Sequence, residues 1–593
     1  MSSFYEDLIP GLQEAKESIA KINGRFSIMR LICFLISAAF VIAGFVRGRS
    51  IPLFVVAGIA FLAFVVLCVI HDRIKKEEAL LTAKLEASER YVARIKGDYS
   101  KLTDDGSEFI NHQHMYTSDL DVFGPHSIFA LYNISHFIFG RRRFADKLKC
   151  NDISVVDKAS ILKMQKMVDC LSEDPEFLLD YEAVADVNRM DKVPDALIKL
   201  CSEKKKLSKF LRLFYRVVPV LWIIPVVLFF VSGMAYARAA VLSVILINFI
   251  IWFVLSKQDM TDIFKAGMVS RQVDAVSERV DYLLNDEKRK DKYFPEYLGN
   301  EVIEDISSLK KACGLCTLRD QPIFALLLNS IMPFDLMCAD KLYTWSEKHG
   351  DRLEESINGL AEIESLMCAC VPGLVSKVSC FPEIVEDKKA FFDGTEMTHP
   401  LLDPSKAVSN SVSIDSKTAL ITGSNMSGKT TLIRTVGIMC VLSYIGSKVP
   451  ARSVSTSIMK IMTSMRIADS LEENMSTFKA ELIRIGSIVE SSKSETPMLF
   501  LIDEVFRGTN SQDRTDGAEI LLEKLDRPYI SGFMTTHDYA LCDRAAERDN
   551  GRISFYHFSE RYEGDEVIFD YKLREGLSHE SNAMFLMRLV GIK

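Results

Sequence analysis

Positive charge is not in excess in this chain: 72 Lys and Arg stand against 80 Asp and Glu, a formal net charge of -8 over 593 residues. That excludes a global basic field of the kind that dominates nucleic-acid affinity, though not a local basic face. The thirteen Cys are scattered without even pairing and there is no Ala-x-Ala cleavage signal at the N-terminus, so free thiols in a reduced compartment are expected. Cys313 and Cys316 lack a second matching pair, Cys368 and Cys370 fall in a helical pattern, and both sets read as buried thiols. His112 and His114 near Asp119 and Asp121 suggest a metal site, but the Asp pair reads as capping or turn chemistry, and no structural metal is expected. No solenoid-type repeat is present, and the length excludes a single hydrophobic core.

Charge of either sign is missing from four segments: Leu31–Val46, Ser50–Ile70, Val217–Ala237 and Ala239–Ser256. Each is near the length a helix needs to cross hydrocarbon, the first being short and extended by Arg30 at its edge, whereas buried core hairpins are seldom so apolar. The links are tiny, Arg47–Arg49 in one doublet and a few residues before Arg238 in the other, so the four form two helical hairpins. The flanks carry Lys16, Lys21, Arg25, Arg30, Arg73, Lys75, Lys76, Lys204, Lys205, Lys206, Lys209, Arg212, Arg216 and Lys257. By the positive-inside rule, an even number of spans puts every large segment in the cytoplasm of a multi-pass protein of the inner or plasma membrane.

Residues 1–26 repeat apolar positions at helical spacing (Phe4, Leu8, Leu12, Ala15, Ile19, Ile22), an amphipathic helix that either lies on the membrane or packs on a neighbour. Residues 27–72 are the first hairpin. Residues 73–106 are rich in helix formers with opposite charges three and four apart, which reads as a solvated stalk without chemistry. Helical patterns fill 107–213, the second hairpin takes 214–257, and helical patterns resume over 258–370. From 371 to 593, Gly, Pro, Ser and β-branched runs alternate with helical ones, the mark of an α/β domain.

That last domain carries the chemistry. The stretch TALITGSNMSGKTTLIRTVGIMCVL is a buried strand, a glycine-rich turn and a helix, the context a phosphate-binding loop requires. Backbone amides from Gly423 through Ser424, Asn425, Met426, Ser427 and Gly428 to Thr431 suit phosphate oxygens, with Lys429 reaching the terminal phosphates and Thr430 offering a hydroxyl to Mg²⁺. A chance glycine turn is disfavoured by the flanks. Downstream, MLFLIDEV is an apolar strand ending in two acids. Asp503 is expected to serve the magnesium and Glu504 to orient or deprotonate the attacking water. The run YISGFMTTHD ends in His537, either a structural strand-end histidine or a sensor of the γ-phosphate.

These motifs and their connectors resemble the ATPase domain of the MutS family of mismatch-repair proteins. YIGSKVPARSV, MRIADSLEENMSTFKAEL, DEVFRGTNSQD, MTTHDYAL and the closing FDYKLREGLSHESNAMFLMRLVGI each resemble the matching family segment, nearly continuously from His399 to Ile592. The resemblance implies ATP and Mg²⁺ as cofactors, with Asn425 and Lys429 on nucleotide, Thr430 and Asp503 on magnesium, Glu504 activating water and His537 reading the γ-phosphate. It also implies a homodimer with composite sites, Ser476 of one subunit completing the site of the other; an ordinary helix cap is the plainer reading of that serine. YTSDLDVFGPHSIFALYNISHFIFGRRRFADKL and DRLEESINGLAEIESLMCACV resemble, more weakly, the family's core and lever helices. The second hairpin would then stand where the family inserts its DNA clamp.

The departures are equally specific. No mismatch-reading domain of ordinary length is expected before the core, and the family's C-terminal helix-turn-helix is expected to be missing or reduced. Phe4-Tyr5-Glu6 matches the Phe-x-Glu reading motif formally and reads as coincidence. The expected architecture is multidomain: α-helical membrane hairpins and a helical core and lever, then a C-terminal α/β P-loop NTPase domain of ABC type. The expected function is a membrane-anchored ATPase whose partners are a second copy and membrane lipid, with DNA open. The alternatives are an ATP-locked membrane tether and an ABC-type transport ATPase; the leucine-serine-glycine-glycine signature and six spans that the latter needs are not in the sequence.

Overall fold

The computed structural model describes residues 2–577 apart from 191–194, 233, 256–265, 285–296, 300, 318–321, 387–388, 425, 467–476, 507–509, 549–550 and 564–565. A mostly helical N-terminal region is followed by α/β sheets.

Two continuous helices, α1 (Ser2–Val46) and α2 (Ile51–Lys96), form one long antiparallel pair joined through Gly48 and Arg49 at φ 71° and 66°. At the usual rise each is about 68 Å long. The outer half has an exposed apolar surface: Phe45 is 63% and Leu62 65% accessible, and Ser37 spends its hydroxyl on Ala57 O at 3.0 Å. The inner half is docked. Tyr5 is fully buried and stacks on Tyr91 with ring centroids 4.4 Å apart. Thus the segment Phe4-Tyr5-Glu6 is an anchor for the hairpin, whatever its likeness to a reading motif.

The stalk read from the sequence as solvated is buried along one face at Ala83, Leu85, Ala87, Ser88, Tyr91, Ala93 and Arg94. It packs on α6 (Pro175–Val187), where Lys84 meets Asp180 at 2.5 Å and Arg90 meets Glu182 and Asp186 at 2.7 and 2.9 Å. Opposite charges spaced three and four apart show that a helix face is charged, not where its partners lie. Here the partners belong to another helix.

Between these come α3 (Ile128–Tyr132), α4 (Ile138–Lys149) and α5 (Lys158–Ser172). Asp157 caps α5 by accepting from Ser160 N at 2.7 Å, and Asp174 with Pro175 opens α6 by accepting from Phe177 N at 2.9 Å. After α7 (Asp195–Ser202), the second apolar region comprises α8 (Lys209–Leu221), α9 (Ile223–Ser232) and α10 (Met234–Leu255). Then come α11 (Ala266–Leu284), α12 (Val302–Thr317), α13 (Pro322–Ile331) and the long α14 (Phe334–Val375). Three helical stretches among the described residues are long and apolar enough to cross a membrane by length and composition, Phe4–Val46, Ile51–Lys96 and Lys209–Val231. A further apolar stretch, Met234–Ile250, is shorter over the residues described.

Helix α14 is the axis of the helical region, packing against α4, α5, α7, α8 and α12. In its C-terminal half, Glu364 is buried and accepts from Arg279 Nε at 3.1 Å and Tyr181 Oη at 2.7 Å, and from Ser135 Oγ. The fully buried Arg279 also donates to the carbonyls of Asn188, Ala275, His136 and Ala185. A buried ion pair is tolerated only when its remaining hydrogen-bonding capacity is filled in this way.

The α/β region has two sheets among the described residues. The smaller runs β1 (Glu383–Val385), β5 (Ser453–Ser457), β2 (Phe391–Met397), β3 (Asn410–Asp415). The larger runs β10 (Glu566–Glu575), β9 (Ile553–Glu563), β4 (Thr418–Thr422), β8 (Ile530–Thr535), β7 (Met498–Asp503), β6 (Lys460–Ser464), parallel except for β10. Strands β4, β7 and β8 are buried at every residue, as a parallel sheet covered on both faces requires. Helices α15 (Lys429–Tyr444), α16 (Thr477–Ser491), α17 (Ser511–Leu525) and α18 (Tyr539–Glu547) connect them.

Candidate nucleotide-binding site

Strands β4, β8 and β7 are parallel neighbours, so their carboxyl ends open onto one edge, where ligands of open α/β sheets bind. This brings together three segments far apart in sequence. Gly423 and Gly428 have φ of 145° and 110°, and a Cβ on Gly423 would sit 2.9 Å from Phe558 O, so the turn from β4 into α15 needs glycine there. Lys429 curls back, its ammonium donating to the carbonyls of Gly423 and Ser424 at 2.8 Å each and lying 3.3 Å from His537 Nε2.

Thr430 Oγ1 donates to Asp503 Oδ2 at 2.9 Å, and Thr535 Oγ1 donates to Asp503 Oδ1 at 2.5 Å. Glu504 has φ 52°, uncommon for a residue with a side chain, and its N–H is held by Thr535 O and Oγ1 at 3.3 and 3.1 Å. Its carboxylate lies 2.7 Å from His537 Nε2. His537 therefore faces Glu504 and Lys429 at once. Ser424 donates to the buried Glu560, Met426 (φ 70°) stands out at 85% accessible, and the buried Ser427 Oγ has no partner among the described residues.

Beside this cluster lies a cavity of about 600 Å³. The loop from Met426 to Thr431 with Asp503 and Glu504 forms one part of its wall, and the largely apolar set Met397, His399, Leu402, Val408 and Tyr571 forms a second. Phosphates suit the first part and a base the second. Burial, then the nearby Arg434, push the imidazole of His399 down to about 3, so it is neutral there; its Nδ1 accepts from Leu401 N at 3.2 Å. The oxygen pair of Thr430 and Asp503 is the donor set a hard divalent cation takes, and the partnerless Ser427 hydroxyl inside the loop fits a phosphate acceptor. Asn425 and Ser476 lie outside the described residues, so the structure places neither.

Several residues went unmarked in the sequence reading. Thr535, which grips Asp503 and the Glu504 backbone, sits inside the quoted MTTHDYAL; Glu560 and His399 carry no comparable pattern signal. Glu481 is buried and accepts from Phe506 N at 2.5 Å, tying α16 to the turn after β7. The Asp pair read as capping or turn chemistry instead joins the helical region to the α/β region. Asp119, 1% accessible, accepts from Thr463 Oγ1 at 2.6 Å, from the backbone N of Met465 and Arg466 at 3.2 and 3.0 Å, and from Arg484 at 3.1 Å. Asp121 pairs with Arg434 of α15 at 2.9 Å and with Arg466. Leu120 between them fills the space above Gly437, where a Cβ would stand 2.9 Å from its methyl.

The fold and the loop define a P-loop nucleotide-binding domain carried by a helical region. Residues 419–593, the C-terminal part of the chain, match the family model for MutS domain V. The DNA mismatch repair protein MutS of Natronomonas pharaonis is 29% identical over 248 residues, 41% of this chain and 28% of the relative. MutS of Thermotoga maritima is 30% identical over 251 residues, 42% of this chain and 31% of the relative. The mismatch repair protein MSH3 of Phaeosphaeria nodorum is 29% identical over 253 residues, 40% and 22%. The aligned part thus spans less than a third of the length of these curated relatives.

Proposed function

We propose that the chain is a membrane-anchored ATPase of MutS type, in which nucleotide binding and hydrolysis rearrange a homodimer and move the helical region against the membrane. The observation that carries the reading is the convergence of Lys429, Thr430, Asp503 and Glu504 on one cavity at the carboxyl ends of three parallel strands, with His537 in contact with Lys429 and Glu504. The amides of residues 423–431 and the Lys429 ammonium bind and orient the triphosphate, with Asn425 beside them. Thr430 and Asp503 hold the ion, which supplies charge neutralisation at the phosphates. Glu504 orients the attacking water and takes its proton, and His537, in contact with Glu504, reports the terminal phosphate to the β8 end. Ser476 of a second subunit completes the site. Asp119, Leu120 and Asp121 transmit the change to the helices that run into both hairpins.

The Glu504→Gln variant is the test. Steady-state hydrolysis by the purified protein is expected to fall by about 100-fold or more while nucleotide affinity is retained, because the amide keeps the shape and loses the base. Undiminished hydrolysis removes the assignment. Binding without turnover in the unmodified protein favours the ATP-locked tether instead.

A second reading, that DNA is bound, draws support from the relatives, which are named for DNA mismatch repair. Against it stands the net charge of -8. Titrating matched, mismatched and branched duplexes into the solubilised protein across salt concentrations decides: absence of binding at low salt removes DNA from the function.

A further inference from the structure

A fifth apolar segment, unmarked in the sequence reading, is α13. Residues 321–334, QPIFALLLNSIMPF, carry no charge. Fourteen residues are too few to span hydrocarbon as a helix, and a run this short is ordinarily either a core helix or a segment that enters a membrane part way. Exposure separates these: Phe324, Leu326, Leu327 and Ile331 are 46–56% accessible, while a core helix would bury such side chains.

The polar contacts at its end set its depth. Ile331 O accepts from Trp222 Nε1 at 2.6 Å and from Asn248 Nδ2 at 3.1 Å, and Asn248 also donates to Ser330 O at 3.1 Å. Trp222 and Asn248 lie well inside the two uncharged stretches of the second hairpin, and Asn248 is 2% accessible. The last carbonyls of a helix have no partner within it, a small matter in water and a cost of several kcal/mol each in hydrocarbon. Their capture by two side chains of apolar helices is the provision a helix end needs at membrane depth. The following helix returns to the charged boundary, where Asp340 of α14 meets Arg212 and Tyr215 of α8 at 2.7 Å each.

We infer that α13 and the turn into α14 form a re-entrant membrane element, its Phe324, Leu326, Leu327 and Ile331 face against lipid acyl chains beside the second hairpin. The inference rests on the membrane-anchoring reading and adds that α14, the axis of the helical region, begins inside the bilayer. Movement of α14 is then felt directly by the membrane.

The test uses the full-length protein in phosphatidylethanolamine–phosphatidylglycerol vesicles doped with a phosphatidylcholine whose acyl chain bears a diazirine. Photolysis and peptide mass spectrometry compare three regions. Lipid adducts on Pro322–Ile331 are expected within about threefold of those on 242–250, and at least about tenfold above those on the peptide of Val155, an exposed valine of the helical core. Labelled 242–250 with unlabelled Pro322–Ile331 overturns the inference, whether water or a second copy of the chain covers that face. Failure of 242–250 to label overturns the anchoring reading itself.

Discussion

Two of this molecule's clusters of buried or half-buried charge are built in opposite ways. Around Arg279 and Glu364 the polar atoms are turned on one another: the guanidinium meets four carbonyls and one carboxylate, so each of its N–H directions is filled. Around Lys429 and Asp503 the groups line a 600 Å³ space and lean on provisional partners, the ammonium on loop carbonyls, the threonine hydroxyl on the aspartate. The difference teaches how to separate scaffold from site. A saturated cluster stabilises one conformation, whereas a cluster with room beside it awaits another molecule.

Breaking the saturated cluster should have the largest effect on stability. Arg279→Met strands Glu364 in the core and is expected to cost about 3–5 kcal/mol. Thermal unfolding of the detergent-solubilised protein measures it; a Tm unchanged from the parent would show that the pair is dispensable. The same measurement on Glu504→Gln should show almost no shift despite its loss of turnover.

Asp119→Ala comes next. Arg484 keeps Thr463 O at 2.8 Å but loses its carboxylate, so destabilisation of about 2–3 kcal/mol is expected. More telling is coupling: hydrogen exchange in α14 on adding nucleotide should lose its nucleotide dependence in the Asp119→Ala protein. Persistent dependence would assign the coupling to another path.

The smallest effects per step of the perturbation are pH limbs, read one pH unit at a time, one from each kind of region. His399 at the cavity stays neutral in the fold, with its value near 3 against 6.5 unfolded, so stability present above pH 6.5 is lost by about 1.4 kcal/mol per pH unit as pH falls toward 3. Glu182 is fully buried; burial alone would raise its carboxyl, but Arg90, His136 and Arg94 together hold it down at about 2. Its contribution is present above 4.5 and fades as pH falls toward 2. His399→Asn should flatten the upper limb of a Tm–pH profile, and Glu182→Gln the lower. If either variant flattens the other's limb, the assignment is wrong.

Much of the site was legible because its signals are local. A phosphate loop needs glycine where φ is positive, a lysine at the start of the following helix and an apolar strand ahead of it; all lie within a dozen residues, so Gly423, Gly428, Lys429 and Thr430 declare themselves. The same holds for Asp503 and Glu504 after an unbroken apolar strand, and for the apolar stretches of both hairpins, where composition over twenty residues decides. The residues missed are those whose partner is remote. Asp119 and Arg484 are 365 positions apart, Tyr5 and Tyr91 are 86, and Trp222 and Ile331 are 109.

The sequence by itself therefore determined the glycine-rich loop, the acid-tipped strand and the apolar helices, since backbone geometry and hydropathy act through near neighbours along the chain. Only the tertiary structure decided what the charged faces do. Strand order brought His537 to Glu504 and Lys429, docking turned a seemingly solvated stalk into a wall of the core, and two acids resembling a turn became the joint between helices and sheet. A charged or polar side chain advertises that it needs a partner, but packing alone selects which one.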